Sequence, residues 1–156
     1  MGRYAGIATV GAVILSLGAG GCGQAVPSES DAAKIVRPYL AQFGETLDFR
    51  KTNGQQRELL GVKAYIVFVR GAAKLQSGFY AIKGFGGLQD VRRAKAGFLE
   101  QDTALPAGTI YVIEGEVVFT LTEKGWKHDS WNRTRFGYCP TAKSARECYD
   151  ALKWDS

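Results

Sequence analysis

The chain has 156 residues, 46% of them apolar and 12% aromatic, ordinary for a globular domain long enough to bury about two-thirds of its surface without a metal. Lys and Arg outnumber Asp and Glu by 20 to 15, a formal +5, but the cations are dispersed: Arg92, Arg93 and Lys95 are the densest group, then Lys124, Lys127, Arg133 and Arg135. A single histidine excludes a multi-histidine metal site, and three cysteines without CxxC spacing argue against zinc or thioredoxin-like chemistry.

Residues 1–3 carry one charge, Arg3, and the stretch from Tyr4 to Leu17 (YAGIATVGAVILSL) carries none. The run falls short of the ~20 apolar residues that cross a bilayer and suits the apolar core of a secretory signal. Gly18, Ala19, Gly20 and Gly21 follow, then Cys22. The segment Ala19-Gly20-Gly21-Cys22 resembles the lipobox of bacterial lipoproteins, with Gly21 as the small residue before the cysteine and Ala19 where the family usually has Leu. The resemblance implies cleavage before Cys22 and acylation of its sulfur, often with acylation of the new amine. Two or three acyl chains, at ~0.8 kcal/mol per buried methylene, hold a membrane far more firmly than one. It also implies the cell envelope, and Gly23, where Asp would retain the protein in the inner membrane, favours the periplasmic face of an outer membrane, or the outer face of the membrane in a cell that has only one. The same stretch has two other readings, an ordinary signal peptide with an incidental free cysteine or an uncleaved N-terminal anchor. The expected layout is a signal peptide over 1–21, a lipidated tether over 22–29 (CGQAVPSE) and one domain over 30–156.

Residues 30–43 (SDAAKIVRPYLAQF) place Ala32, Ile35, Val36, Tyr39, Leu40 and Phe43 on one helical face. Ser30 is the expected N-cap and Gly44 the stop. Pro38, inside the pattern, removes one backbone hydrogen bond and predicts a kink. TLDFRKT (46–52) and QQRELLG (55–61) flank Asn53-Gly54, a strong hairpin signal because both central residues of a type I′ turn need positive φ. VKAYIVFVRG (62–71) is apolar on both faces and reads as a central strand with one side under the helix. FYAIK (79–83) predicts a fourth strand; in 84–108, VRRAKAGFLEQD fits a short helix (Val91, Ala94, Phe98) or a strand (Ala94, Ala96, Phe98), and the segment reads as loop with a helical turn.

TIYVIEGEVVFTLT (109–122) is expected to turn over Glu123-Lys124-Gly125, with Gly125 at the left-handed position of a three-residue loop, into a return strand from Trp126. Gly115 in mid-strand predicts a bulge or bend. Cys139 and Cys148, in CPTAKSAREC, are the even pair left once Cys22 is acylated, in a compartment that permits disulfides. One helix over 139–148 would hold the two Cα atoms ~13 Å apart, beyond the ~7 Å that a bridge tolerates. The chain must therefore turn back, and Ser144-Ala145-Arg146-Glu147 is a capping-box pattern that starts a helix there.

These elements predict an α+β fold: an N-terminal helix packed on a curved antiparallel sheet of five or six strands, and a short C-terminal helix tied by the disulfide. The order, with the hairpin GEVVFTLTEKGW, resembles small bacterial lipoproteins of cystatin-like or nuclear-transport-factor-like build over most of 30–132. The resemblance implies a non-enzymatic binding or interaction module and carries over no catalytic residue, cofactor or metal. Its implied partners are the membrane, through the lipid, and another envelope protein or a small ligand. The exported address argues against nucleic acid as a partner. Phe79, Tyr80, Phe85 and Trp126, with Arg92 and Arg93, are the candidate contact residues; core is the favoured reading of the aromatics.

Residues that invite catalysis are few. His128 and Asp129 are adjacent in a strand and face opposite sides. Glu114 and Glu116 share a strand face with side chains ~6–7 Å apart, on what should be the solvent side of a ladder. The competing expectation is an enzyme using carboxylates in a nuclear-transport-factor-like sheet cavity, which needs an acid pointing into an open space. Gly84-Phe85-Gly86-Gly87 lacks the Lys-Ser/Thr of a phosphate loop. Asn132-Arg133-Thr134 matches a glycosylation sequon, incidental in a bacterial chain.

Overall fold

A computed structural model describes residues 25–83, 89–93 and 103–154. Cys22, with the leader and the first part of the tether, lies outside the described residues, as do Phe85 and the GFGG segment. In chain order the elements are α1 (Glu29–Ala41), β1 (Gly44–Leu59), β2 (Val62–Leu75), β3 (Phe79–Lys83), β4 (Gln89–Arg93), β5 (Thr103–Leu105), β6 (Ile110–Thr122), β7 (Gly125–Cys139) and α2 (Ala145–Ala151). The α+β class is as expected, but a single sheet of five or six strands is not. An antiparallel four-stranded sheet, β1-β2-β6-β7, stands beside a three-stranded one, β4-β3-β5. FYAIK is a strand, yet it belongs to the smaller sheet. Parts of 84–108, read as loop and helical turn, are the strands that flank it. Strands of three to five residues have too little alternation to reveal a period.

Helix α1 starts at Ser28 rather than Ser30. The Ser28 hydroxyl accepts from Asp31 N–H (3.3 Å), and Asp31 Oδ2 accepts from Ser28 N–H (3.0 Å), a reciprocal box. Ser30 has Ala33 three residues on and cannot close one. Glu29, assigned to the tether, is therefore helical, and its Oε2 accepts from the Lys51 N–H at 2.8 Å. Pro38 sits inside the helix on its exposed side, where water can take the carbonyl it leaves unpaired.

The Asn53-Gly54 hairpin is not made. β1 runs straight through, with Asn53 opposite Phe68 and Gly54 opposite Val67, and the chain reverses at Leu60-Gly61, both at positive φ (50° and 78°). The pair Asn53-Gly54 serves other ends. A bulge between Lys51 and Asn53 shifts the register there, and a side chain at Gly54 would collide with the Tyr65 hydroxyl. The turn falls where β1 becomes long enough to match β2, whose apolar faces fix the register.

One face of the large sheet carries α1. Ala32, Val36, Leu40 and Phe43 pack on Val67, Val69, Tyr111, Ile113 and Val117, and the smaller sheet adds Phe79, Ala81, Val91 and Leu105 to the same core. Odd residues of β2 and β6 supply this face. Even residues supply the other, where Ala72, Ile110 and Val112 pack under α2 with Cys148, Tyr149 and Trp154. Cys139 and Cys148 are bridged, with Cα atoms 5.6 Å apart. Ser144 caps α2 by accepting from Glu147 N–H; the Glu147 carboxylate returns to Lys143 N–H, not to Ser144. The β6–β7 turn pairs Thr122 with Gly125, so only Glu123 and Lys124 lie between the strands and the three-residue loop is one residue too long. The expected irregularity at Gly115 is present: the extra residue is Thr134 on β7, and a side chain at Gly115 would strike the Trp131 ring.

Candidate functional site

The helix-bearing face of the large sheet is occupied. Between α1 and the strands, Tyr39 meets Phe43 (5.2 Å) and Trp131 (6.1 Å), and Phe43 meets Phe79 (5.4 Å) and Tyr111 (4.6 Å). Arg133 Nη1 donates to the hydroxyls of Tyr39 (2.8 Å) and Tyr111 (2.7 Å), closing the space from the β7 side. Burial, and then the neighbouring Tyr39 hydroxyl, push the Tyr111 phenol far above its ordinary range. Glu114 and Glu116 do share a face, but it is the one turned away from α1. There Arg70 donates to Glu114 Oε1 from Nε (2.9 Å) and Nη2, and to the Trp154 carbonyl (2.8 Å). Arg50 and Arg70 stack on the ring of Tyr149, and Arg70 and Arg135 on that of Trp154. This alternation of cation and ring holds α2 down.

A cavity lies at the start of α1, where the chain enters the domain. It encloses about 550 Å³ and is lined by Ala25, Pro27, Asp31, Lys34, Ile35, Phe119, Lys124, Gly125, Trp126 and His128. Three local features build it. The Ser28 cap sets the first turn of α1, so that Asp31, Lys34 and Ile35 border the cavity, Lys34 from its exposed rim. The tight β6–β7 turn brings Lys124 and Trp126 opposite them. The β7 register puts Trp126, His128 and Trp131 on the α1 side, with an extra residue at Asp129 absorbed by the irregularity opposite Val118 and Phe119. Apolar walls from Ile35, Phe119 and Pro27 thus meet an ammonium on each side, Lys34 being paired with Asp31 at 3.0 Å. Hydrogen bonds from Ser28 and then Lys34 hold the Asp31 carboxyl at a pKa of about 2. Two buried polar ring atoms, Trp126 Nε1 and His128 Nε2, have no hydrogen-bond partner among the described residues. Such atoms cost about 1–3 kcal/mol each when left unmade, which marks a place where an acceptor or a water belongs.

A second groove, about 760 Å³, lies between β1 and α2 and is lined by residues that include Leu47, Asp48, Arg50, Arg146 and Tyr149. Burial is the main cause that raises the Tyr149 phenol, whose hydroxyl donates to Asp48 at 3.5 Å.

The sequence-level contact residues do not form one patch. Phe79 is 3% exposed and is core. Tyr80 is half-buried on the small sheet, where Arg92 and Arg93 belong to β4. Trp126 stands in the other sheet, edge-on to Tyr65 at 6.0 Å, and lines the cavity. His128, read as a surface residue, lines the cavity too, as do Lys34 and Lys124, which the sequence reading did not single out as site residues. The period of two along β7 already aligned Trp126 with His128, but no sequence signal placed α1 over them. Among the described residues no group of three or more His, Cys, Asp or Glu is placed to hold a metal, and no helix is long and apolar enough to cross a membrane. Comparison with protein-family models, curated proteins and solved structures gives no match to this chain, so geometry carries the functional reading.

Proposed function

We propose that this chain is an envelope lipoprotein, cut before Cys22 and acylated on it, whose α+β domain is a non-enzymatic binding module. The observation that carries the binding role is the cavity at the start of α1, with apolar walls, Lys34 and Lys124 at its sides, and the unpaired ring atoms of Trp126 and His128. That combination suits a small ligand with an apolar body and an anionic, hydrogen-bond-accepting head. The packing of α1 and its aromatics against the sheet supports binding over carboxylate catalysis, since the acids of β6 face the other way. One helix laid across a four-stranded antiparallel sheet also supports a cystatin-like or nuclear-transport-factor-like comparison. The lipobox-like Ala19-Gly20-Gly21-Cys22 and the following Gly23 support the address, on the periplasmic face of an outer membrane.

Intact mass spectrometry of the protein extracted from its host in mild detergent, native and then denatured, tests both halves. Acyl mass on Cys22 is expected. A further mass should leave on denaturation and be lost in Trp126→Phe with Lys124→Glu. A native protein with no extra mass, and no change between it and the double variant in capturing envelope extracts, would refute the cavity as the binding site. An unmodified Cys22 would refute the address.

A further inference from the structure

We infer that the end of the large sheet carrying the two hairpin tips is a lipid-contacting surface, with Leu60 as its apolar probe. The inference rests on the reading of Cys22 as the acylated residue and says which way the domain then faces.

The first observation is geometric. β2 pairs with β6 so that Ala64 stands opposite Thr120, which places the Leu60-Gly61 tip level with the Glu123-Lys124 tip. The entering chain is at the same end, since Ala25 and Pro27 line a cavity with Lys124 and Gly125. Cys22 is three residues before Ala25 and cannot be more than about 10 Å from it. An acylated Cys22 therefore brings this end of the sheet to the bilayer.

The second observation is independent of the anchor. Four large apolar side chains stand out as exposed among the described residues: Val26, Leu47, Leu60 and Val62. Three of the four are here, with Leu60 100% exposed, Val62 48% and Val26 46%. Leu60 is also in the left-handed region, φ 50°, at the first central position of its turn. Asn, Asp or Gly fills that position at little cost, whereas a branched apolar residue is unfavourable there in backbone and in water alike. No intramolecular contact compensates a side chain with full exposure. A hydrocarbon phase would.

Charge does not decide the matter: Arg57, Lys63 and Lys124 stand beside Glu58 and Glu123, a mixed rim suited to head groups around an apolar centre. Continuity with the anchor selects the bilayer over a protein partner.

The test uses the full chain carrying Leu60→Cys. With Cys22 acylated and Cys139 bridged to Cys148, the new thiol is the one that accepts an environment-sensitive fluorophore. The protein is reconstituted in vesicles of phosphatidylethanolamine and phosphatidylglycerol, and Lys143→Cys, at the other end of the sheet, is the reference. The label at 60 is expected to shift to the blue and to be quenched severalfold more than that at 143 by a quencher borne on lipid chains. Equal, water-like signals at both positions overturn the proposal. So does a blue shift of the same size without vesicles, which would mean that protein covers Leu60. The mass of the Cys22 peptide is read on the same sample: acyl mass with a water-like label sinks the lipid surface and leaves the anchor, and a shifted label without acyl mass does the reverse. As a second measurement, Leu60→Asn should melt no lower than wild type in detergent. A lower melting temperature would mean that Leu60 is held by the fold and not kept for lipid.

Discussion

Removing the Cys139–Cys148 bridge gives the most direct check on how the C-terminal end is held. The bridge closes nine residues of sequence separation. In the chain-entropy account the unfolded chain regains about 8.7 cal/mol/K when so short a loop opens, or about 2.6 kcal/mol at 25 °C. For a domain of about 130 residues, unfolding entropy near the midpoint is about 0.27 kcal/mol/K, so the loss corresponds to about 10 °C. Alanine is the replacement of choice at both positions. Cys148 is fully buried, and a serine hydroxyl there would add its own desolvation cost. The assay is thermal unfolding of wild type and of Cys139→Ala with Cys148→Ala, followed by near-ultraviolet circular dichroism, with thiol titration showing that the wild type is bridged. A fall of less than about 3 °C in a bridged protein would refute the reasoning. It would mean that Tyr149 and Trp154, stacked at 5.9 Å and clamped by Arg50, Arg70 and Arg135, hold α2 without the covalent link. Two separate transitions would show that α2 opens as its own unit. Membrane retention should be unaffected in either case and lost in Cys22→Ser.

Gly115→Ala should destabilise the domain by about 1–3 kcal/mol, because the new methyl meets the Trp131 ring and the Asn132 carbonyl at 2.5 Å, and backbone cannot rotate away; urea unfolding measures it. Glu114→Ala removes the carboxylate that Arg70, which is 8% exposed, donates to, and should cost about 2–3 kcal/mol. That is less than for a fully buried pair, since the Trp154 carbonyl still accepts from Arg70, and a double variant with Arg70→Met should recover much of it. The Asp31 carboxyl, ordinarily near 3.8, sits at about 2 because Ser28 and Lys34 bond its charged form. A lowered folded-state value means that its contribution is complete above about 3.8 and disappears as pH falls towards 2. Wild type should thus lose melting temperature more steeply than Asp31→Asn across that window, and parallel pH profiles would count against the capping box.

What the sequence made legible followed from long, strongly patterned segments. α1, the central β2, the β6–β7 hairpin with its irregularity at Gly115, and the bridge between Cys139 and Cys148 all read from periodicity, spacing or capping chemistry. The misreadings arose where local and global preferences compete. Asn53-Gly54 has the better turn chemistry, yet a reversal there would have cost β2 its present pairing on the β1 edge, and the sheet places the reversal at Leu60-Gly61 against local preference. Likewise Ser30 is a good cap in isolation, but only Ser28 has an acid three residues on. The cavity was illegible for a different reason. Its residues come from three separated segments, and only the packing angle of α1 brings Lys34 to Trp126 and His128.

The proposed tip-down arrangement also says what would face away from the lipid. β6 spans thirteen residues from the bridge to the tip, about 40 Å along a twisted strand. With the tips at the bilayer, the bridge and the capped start of α2 stand well clear of the head groups. The groove between β1 and α2, with Arg50, Arg146 and Lys143 along it, then opens to the aqueous side. A domain standing on its tips and one lying on this groove, where Asp48 and Asp150 stand among the cations, make opposite demands on Arg50 and Arg146. In the upright arrangement, Arg50→Glu with Arg146→Glu leaves the vesicle-dependent shift of a label at residue 60 unchanged. Lying flat, the domain would owe its contact with phosphatidylglycerol to those arginines, and the charge reversal would abolish it. An unchanged signal at 60, together with a label at 143 that stays in water, is what the upright orientation requires. A loss of signal would mean that the sheet face, and not its end, meets the membrane.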